Sequence, residues 1–395
     1  MLALWRPHWA ATTARQHPLL AMGQAPCQYA GAIHLHCFTI TGRFPSGEKM
    51  TPKWLSLMLT GMMCCVLGCT DDNEKNLSAD LTAAGSWKIG MWPNSLYKDG
   101  SDVYVADSGN NEIDIYHIES GQYEDSKIKL PVDSNPVQVS TDDSNVYIVA
   151  SKSNLIYQYN KASGELTALN ITGLNMPYSI LTSGGCHVIV NSEYDYDNGT
   201  AAGSIAKICG SDDTRLPTTC KNPVDIKSLD NGYLLSCSGV YQYDSNYAIT
   251  GTQGSALQKL DSNFDVVKSI FADDDPGTAA ISKDYIVTGS SFKGVAHLLD
   301  HDLNVLDTYT IGDGSASMLV ARYLYDDNFV IADFNHDKLF FVKAGSGKFV
   351  VQFEAAISDS EVARKGPLDI IYDNHSILVL NSLSETLDIY RINRE

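Results

Sequence analysis

The strongest constraint on this chain is that it repeats. Val103-Tyr104-Val105 through Tyr116 aligns without a gap on Val146-Tyr147-Ile148 through Tyr159, and the same offset of 43 residues carries Pro93 onto Pro136. A period of this length marks a small module that cannot bury its apolar side alone, so stacked neighbours must make the core. Carried forward, the register places Pro177, Pro223, Pro276 and Pro367 just ahead of an apolar run, and a sixth unit opens near Met318 without its proline. The intervals stretch where loops lengthen. From about residue 84, β-branched and aromatic runs alternate with Gly, Asn, Asp and Ser clusters and no amphipathic helix intervenes, which is a pattern of strands and turns.

Each unit reads as strand a after the proline, strand b such as Asn145 to Ala150, strand c such as Leu155 to Tyr159, and strand d such as Glu165 to Ile171. Seven units of about 46 residues match the four-stranded blades of a propeller. The last unit holds only Leu368 to Ile371, Ser376 to Leu380 and Thr386 to Ile392, while Ser86-Trp87-Lys88-Ile89 is a strand with no blade of its own. Joining the two closes the ring and leaves no long unpaired edge. The predicted fold is all-β, a seven-bladed β-propeller over residues 84–395 whose last blade is closed by the N-terminal strand 86–89. A six- or eight-bladed ring or an all-β solenoid is the alternative.

Upstream of the repeats, Lys53 supplies a charged end, Trp54 to Leu67 an uncharged apolar stretch, and Gly68-Cys69 a small-residue cleavage site, in the order of a secretory signal. The apolar stretch is shorter than the roughly 20 residues that span a bilayer. Val66-Leu67-Gly68-Cys69 resembles a lipobox, which implies a diacylglycerol on the Cys69 thiol and cleavage before it. The acidic run Thr70-Asp71-Asp72-Asn73-Glu74-Lys75 is similar to the surface-export signal of lipoproteins in some Gram-negative bacteria. Residues 50–69 are therefore expected to be a lipoprotein signal peptide and 70–83 an acidic flexible tether with a reach of roughly 20 Å. The expected location is the outer membrane, lipid-anchored and exposed at the cell surface.

A signal of this kind works at an N-terminus, so Met50 is the expected start. Residues 1–49, which show no apolar period of 2 or 3.6, are expected to be mis-assigned upstream sequence. Leaving out residues 1–69 removes five basic residues and one acidic residue, which takes the formal charge from −19 to −23. Nucleic acid and anionic lipid head groups are disfavoured as partners for such a surface. Cations, neutral ligands and basic proteins remain open.

Tyr104-Val105-Ala106-Asp107-Ser108-Gly109-Asn110-Asn111, with looser copies at Tyr147 to Asn154 and Leu378 to Ser384, resembles the YVTN or YncE-like propellers. The resemblance covers residues 84–395 and implies architecture, since this fold hosts many functions. Anchor and blade count together are similar to the BtuG-type surface lipoproteins, which capture corrinoids for outer-membrane transporters. That resemblance implies a membrane partner through the lipid anchor, an outer-membrane transporter, and a small-molecule or glycan ligand.

Gly345-Ser346-Gly347-Lys348 lacks the spacing of a phosphate loop and aligns with Lys161-Ala162-Ser163-Gly164-Glu165, which makes it a turn between strands c and d. No Gly-x-Ser-x-Gly, His-Glu-x-x-His or Cys-x-x-Cys occurs, so a non-enzymatic role is favoured. The alternative is a metal-dependent lactonase or lyase with Asp107, Glu193 and Asp333 around one divalent ion. His297, His301, His336 and His375 fall at strand ends and in loops, read as solvated or hydrogen-bonded imidazoles. Asp195-Tyr196-Asp197-Asn198-Gly199 and Asp273-Asp274-Asp275 offer oxygen ligands without the spacing of a calcium loop. No cofactor is predicted, and calcium remains open.

Cys186, Cys209, Cys220 and Cys237 allow three connectivities, or free thiols. Cys209 with Cys220 is favoured, closing a short loop around Arg215-Leu216-Pro217, and Cys186 competes for Cys209 because it starts a b strand beside the end of strand c. In a propeller the d-to-a and b-to-c loops share one face, where function concentrates. That face is expected to present Trp92, Asn94, Asn110, Tyr178, Tyr194, Tyr196, Tyr241, Phe292, Phe334 and His336. Aromatic rings with amide and carboxylate neighbours suit a neutral polar ligand or a protein surface.

Overall fold

The computed structural model describes residues 77–394, apart from 120–121, 124–126, 246–248, 291, 317–318 and 359–363. The expected signal peptide, Cys69 and the first part of the tether lie outside the described residues. Within them the secondary structure is all-β and builds seven antiparallel blade sheets, one per repeat, with two further two-stranded hairpins. Blade one holds Pro93–Asp99, Asp102–Asp107, Glu112–His117 and Gln122–Tyr123, with Ile128–Lys129 also paired to the third strand. Blade two holds Pro136–Thr141, Asn145–Ala150, Leu155–Asn160 and Leu166–Ala168. Blade three is Pro177–Ser183, Cys186–Asn191, Ser204–Cys209 and Asp212–Pro217, and blade four Pro223–Leu229, Gly232–Cys237, Ala256–Leu260 and Val266–Ile270. Blade five is Ala280–Ile281, Ile286–Gly289, Val295–Leu299 and Val305–Thr310, and blade six Leu319–Tyr325, Asn328–Asp333, Lys338–Gly345 and Lys348–Ala356. Blade seven combines Pro367–Asp373, Ser376–Asn381 and Thr386–Arg394 with the N-terminal strand Leu77–Lys88.

The core is divided among the junctions between blades, because strand b is apolar on both faces. In Val103-Tyr104-Val105-Ala106 alternate residues point to opposite sides. Val103 and Val105 pack on Leu378 and Leu380 of blade seven, while Tyr104 and Ala106 pack on Ile148 of blade two. Equivalent clusters follow around the ring: Ile156 with Ile189, Val190 with Leu235, Leu257 with Ile286, Leu298 with Phe340, and Phe341 with Val379. Seven junctions for seven blades close the ring. The first strands run along its inner side, with Pro93–Asp99 packed against both Pro136–Thr141 and Pro367–Asp373.

The closing strand pairs Trp87 with Leu387, Ser86 with Asp388, Ala83 with Tyr390 and Leu81 with Ile392. It starts at Leu77, so the residues from Leu77 to Ala83, expected in the tether, are strand. Their backbone partners come from the nine-residue Thr386–Arg394 strand, and the small Ala83-Ala84-Gly85 run hides the pairing from an apolar pattern.

The expected Cys209–Cys220 bond is replaced by Cys186–Cys209 and Cys220–Cys237. Cys186 lies directly opposite Cys209 across strands b and c, with a Cα separation of 4.3 Å. Between Cys209 and Cys220 the strand Asp212–Pro217 runs the height of the blade, and six extended residues cover about 20 Å at roughly 3.3 Å each, beyond a disulfide's reach.

Five of the six register prolines begin a first strand, and Pro276 precedes its strand by a short link. The residue before each, namely Trp92, Asn135, Met176, Asn222, Asp275 and Gly366, has a positive φ between 38° and 63°. A bulge follows Pro93, Pro136, Pro177, Pro223 and Pro367, leaving the next residue, and after Pro93 the next two, out of the ladder. Bulges re-aim side chains, and this one turns Asn94 and Tyr178 relative to the rest of their strands.

Candidate functional site

The face carrying the prolines and the b-to-c loops is stitched by a repeated backbone bond. The N–H groups of Ser108, Ser151, Ser192, Ser238 and Ser382 donate to the carbonyls of Trp92, Asn135, Met176, Asn222 and Gly366 at 2.9–3.3 Å. Each serine follows strand b directly, a repeat feature that the apolar register passes over. The frame holds both loop sets in one layer and leaves insertions free to project.

Two blades carry such insertions. In blade three the b-to-c loop forms a hairpin, Tyr194–Asp195 against Thr200–Ala201, and in blade four Val240–Tyr243 pairs with Ile249–Gln253. The hairpins bring four of the predicted tyrosines into one neighbourhood. Tyr194 and Tyr196 lie with ring centroids 4.8 Å apart and planes at 49°. Tyr241 meets Phe292 of blade five edge-on at 6.1 Å, and its hydroxyl donates to Asp275 Oδ2 at 3.3 Å. Half-buried Tyr178 interacts electrostatically with Tyr196, Asp225 and Asp275. Its hydroxyl pKa is pushed up to about 12, by burial first and then by these neighbours. Burial and Asp275 likewise push the Tyr241 hydroxyl well above the usual phenol value. Tyr243, 55 % exposed, joins the group through Tyr194.

Asp275, buried at 3 %, is the member that sequence reasoning missed in this role. Its N–H donates to Ser255 Oγ at 2.9 Å, which fixes the carboxylate beside the blade-four hairpin. Asp225 is held by Lys227, and Asp274 by Lys293 at 3.0 Å and Ser290 Oγ at 3.0 Å. A groove of about 510 Å³ lies beside the blade-three hairpin, lined by Glu193, Ser204, Arg215, Leu216, Thr218 and Lys221.

The remaining predicted residues sit elsewhere on the face. Asn94 Nδ2 donates to Ser108 Oγ and, at 3.4 Å, to Pro136 O, tying blade one to blade two. Trp92 is 48 % exposed beside it. Asn110 closes a turn on Asp107, with Nδ2 2.7 Å from Oδ2. Phe334 is buried under the Arg364 guanidinium, 6.0 Å from its ring, and Arg364 Nη2 donates to the Phe334 carbonyl at 2.8 Å. His336 Nδ1 lies 2.6 Å from Asp333 Oδ2 in a tight turn.

Asp107, Glu193 and Asp333 serve separate local structures. Glu193 Oε1 accepts the Ser204 hydroxyl at 2.5 Å, and Asp333 caps the backbone N–H groups of Asn335 and His336. Asp107 instead belongs to a buried group with Glu112 and Asp114, ligand atoms within 4.8 Å of one another. Lys127 Nζ reaches Glu112 at 2.5 Å and Asp114 at 3.1 Å, so an ammonium already supplies positive charge there. Burial, with Asp114 and Glu112 adding, raises the Asp107 pKa to about 6 against the hydrogen bonds from Asn110. In the Asp195 loop the carboxylate caps the N–H groups of Asp197 and Asn198 at 3.0 and 3.2 Å, which accounts for its acidic spacing as turn chemistry.

No known protein family matches the chain by sequence, and no curated protein matches it. Solved structures do match in shape. Virginiamycin B lyase from Staphylococcus aureus superposes with a TM-score of 0.62 at 12 % identity, covering 80 % of this chain and 100 % of that one. A streptogramin B lyase gives 0.61 at 11 % identity over 80 % and 98 %. A chain of the mitotic checkpoint complex gives 0.59 at 12 % identity over 89 % and 99 %. At these identities the likeness is one of fold, a β-propeller.

Proposed function

We propose that this chain is a non-enzymatic lipoprotein, anchored in the outer membrane through Cys69 and exposed at the cell surface. It binds a ligand or partner protein through the loop face of its propeller. The observation that carries the reading is the tyrosine neighbourhood built by hairpins inserted in blades three and four, with Tyr178 set out of its strand's ladder by a bulge. Aromatic side chains supply contact area at low entropic cost, and buried carboxylates fix orientation. In its finer form the proposal is that the ring assists an outer-membrane nutrient transporter, a corrinoid transporter being the example that anchor and blade count suggest. Calorimetry of the purified protein against cobalamin, haem and a glycan panel, with pull-downs from membranes, tests it. Binding lost on Tyr196→Ala supports the reading; no ligand and no membrane partner sinks it.

A second reading, a metal-dependent lactonase- or lyase-type enzyme, draws on the Asp107–Glu112–Asp114 group. Lys127 within that group weighs against an ion. Protein purified metal-free and unmoved by calcium or chelator in a thermal shift would count against this version.

A further inference from the structure

Resting on the lipid anchor proposed above, we infer that the ring carries a membrane-docking rim. The outer edges of blades four to six, at the end opposite the loop face, lie in the interface of a lipid bilayer, and the tyrosine-bearing face points away from it.

Each outer strand opens at the end opposite the loop face, because the turns from third to fourth strand lie there. Val266 and Val267 open it in blade four, Val305 and Leu306 in blade five, and Val350 and Val351 lie third and fourth in blade six. All six are between 40 % and 62 % exposed. In blade three the opening residues are exposed Asp212 and Asp213, so the repeat itself does not demand apolar side chains there. The three edges are contiguous. Lys268 Nζ of blade four donates to Asn304 Oδ1, next to Val305, at 2.7 Å, and the Phe349 N–H of blade six donates to Asp307 Oδ2, next to Leu306, at 2.9 Å. An apolar strip across three neighbouring blades marks an interaction surface, which singly scattered apolar residues do not.

The closing strand identifies what covers the strip. It packs against Lys348–Ala356 of blade six, so the strip borders the strand by which the chain enters the ring. Lys88 pairs with Thr386 at the loop-face end of that strand, and Leu77 with Arg394 at the other. The eight residue steps from Cys69 to Leu77 span at most about 28 Å, whereas Leu77–Lys88 is itself about 36 Å long at roughly 3.3 Å per residue. The leash is shorter than the strand. It therefore holds the end bearing the apolar strip beside the bilayer and keeps the loop face away from it. Uncharged valine and leucine side chains suit the interface of a zwitterionic lipid, and the formal charge of −23 disfavours an anionic one.

The full chain, expressed with its signal, is placed in phosphatidylcholine vesicles that contain a photoactivatable phosphatidylcholine, and labelled peptides are mapped by mass spectrometry. Labelling is expected on peptides holding residues 266–270, 305–310 and 348–356, about five-fold or more above those holding 194–201 and 240–253. Val267→Asp with Leu306→Asp alters only exposed side chains, checked by an unchanged melting temperature, and should cut the rim labelling about five-fold. Labelling spread evenly around the ring, strongest on the loop-face hairpins, or unchanged in the double variant overturns the proposal. So does an unlabelled rim on a protein that sediments as a dimer split by the same variant, because a second copy then covers the strip. The mass of the peptide beginning at Cys69 reads the anchor separately. A lipidated Cys69 with an unlabelled rim overturns this inference alone, whereas Cys69 without lipid overturns the anchor and this inference together.

Discussion

Asp369 Oδ2 accepts the backbone N–H of Leu96 at 2.9 Å, joining the first strand of blade seven to that of blade one across 273 positions of chain. Gln138 does the same for the Ile180 N–H at 2.6 Å between blades two and three. In both cases the acceptor is the second residue after a register proline and the donor is the third residue after the next one. Ser95 and Ser179 hold the same acceptor position, and their hydroxyls are buried with no partner among the described residues. Reach decides which junctions are locked.

Asp369 also takes the Arg322 guanidinium, with Nε and Nη2 both 2.7 Å from Oδ1. Removing the carboxylate leaves a part-buried cation and an unsatisfied N–H together. Asp369→Ala is expected to cost about 3–5 kcal/mol in urea unfolding. Asp369→Asn should cost less, because its amide oxygen still serves Leu96. Equal losses for the two would mean that the charge pair carries the whole effect.

Much of this architecture is readable from residues alone, and the reason is local. Val103 to Ala106 is apolar at every position because each face of the strand meets a different blade, so strand b announces itself in every repeat. The register prolines mark first strands because a strand's opening residue is where the missing N–H is tolerated. What stays hidden is contact between blades. Asp273-Asp274-Asp275 reads as a solvated acidic loop because nothing near it reveals Tyr241, 34 positions away, on Asp275. The cysteine pairing fails on length, since spacing along the chain ignores that Asp212–Pro217 crosses the blade. Tyr178 is found by register, whereas the bulge after Pro177 becomes visible only in the pairing of the strands.

Asp107 gives the chain an acid-side stability gradient. Its pKa, about 6 in the fold against 3.8 as its ordinary value, means that the folded state binds more protons than the unfolded one between about pH 4 and 6. Stability from this residue is therefore fully present below about pH 4 and is lost as pH rises through 6. The amplitude is of order 2–3 kcal/mol. Asp107→Asn should flatten this part of the curve, measured by urea unfolding at several pH values. A gradient unchanged in the variant would place its origin elsewhere.

The two disulfides make a chemical prediction. Peptide mapping without reductant should return Cys186 linked to Cys209 and Cys220 linked to Cys237, with no Cys209–Cys220 peptide. The second bond closes a separation of 17 residues, for which chain entropy gives about 3 kcal/mol. It ties the segment leading into blade four to the end of that blade's second strand, directly below the hairpin that carries Tyr241. Cys237→Ser should lower stability by about that amount. Binding at the tyrosine face should weaken with it, while Cys186→Ser, at the opposite end of strand b in blade three, should spare binding.

Gly366 tests the frame of the loop face itself. It precedes Pro367 with φ at 63°, and its N–H donates to Asp337 Oδ1 at 2.7 Å. A Cβ there would lie 2.7 Å from Leu383 Cγ and 2.9 Å from the Phe334 ring. Phe334 is buried beneath Arg364, so it has little room to yield. Left-handed backbone strain and overpacking add to an expected cost of about 2–4 kcal/mol for Gly366→Ala. At Gly251, in the blade-four hairpin, an added Cβ would meet nothing within 4 Å, and Gly251→Ala should stay within about 0.5 kcal/mol of the parent. If both variants melt with the parent protein, the ring tolerates movement of Phe334 and Leu383, and the pre-proline positions do not fix the loop layer on which the tyrosines stand.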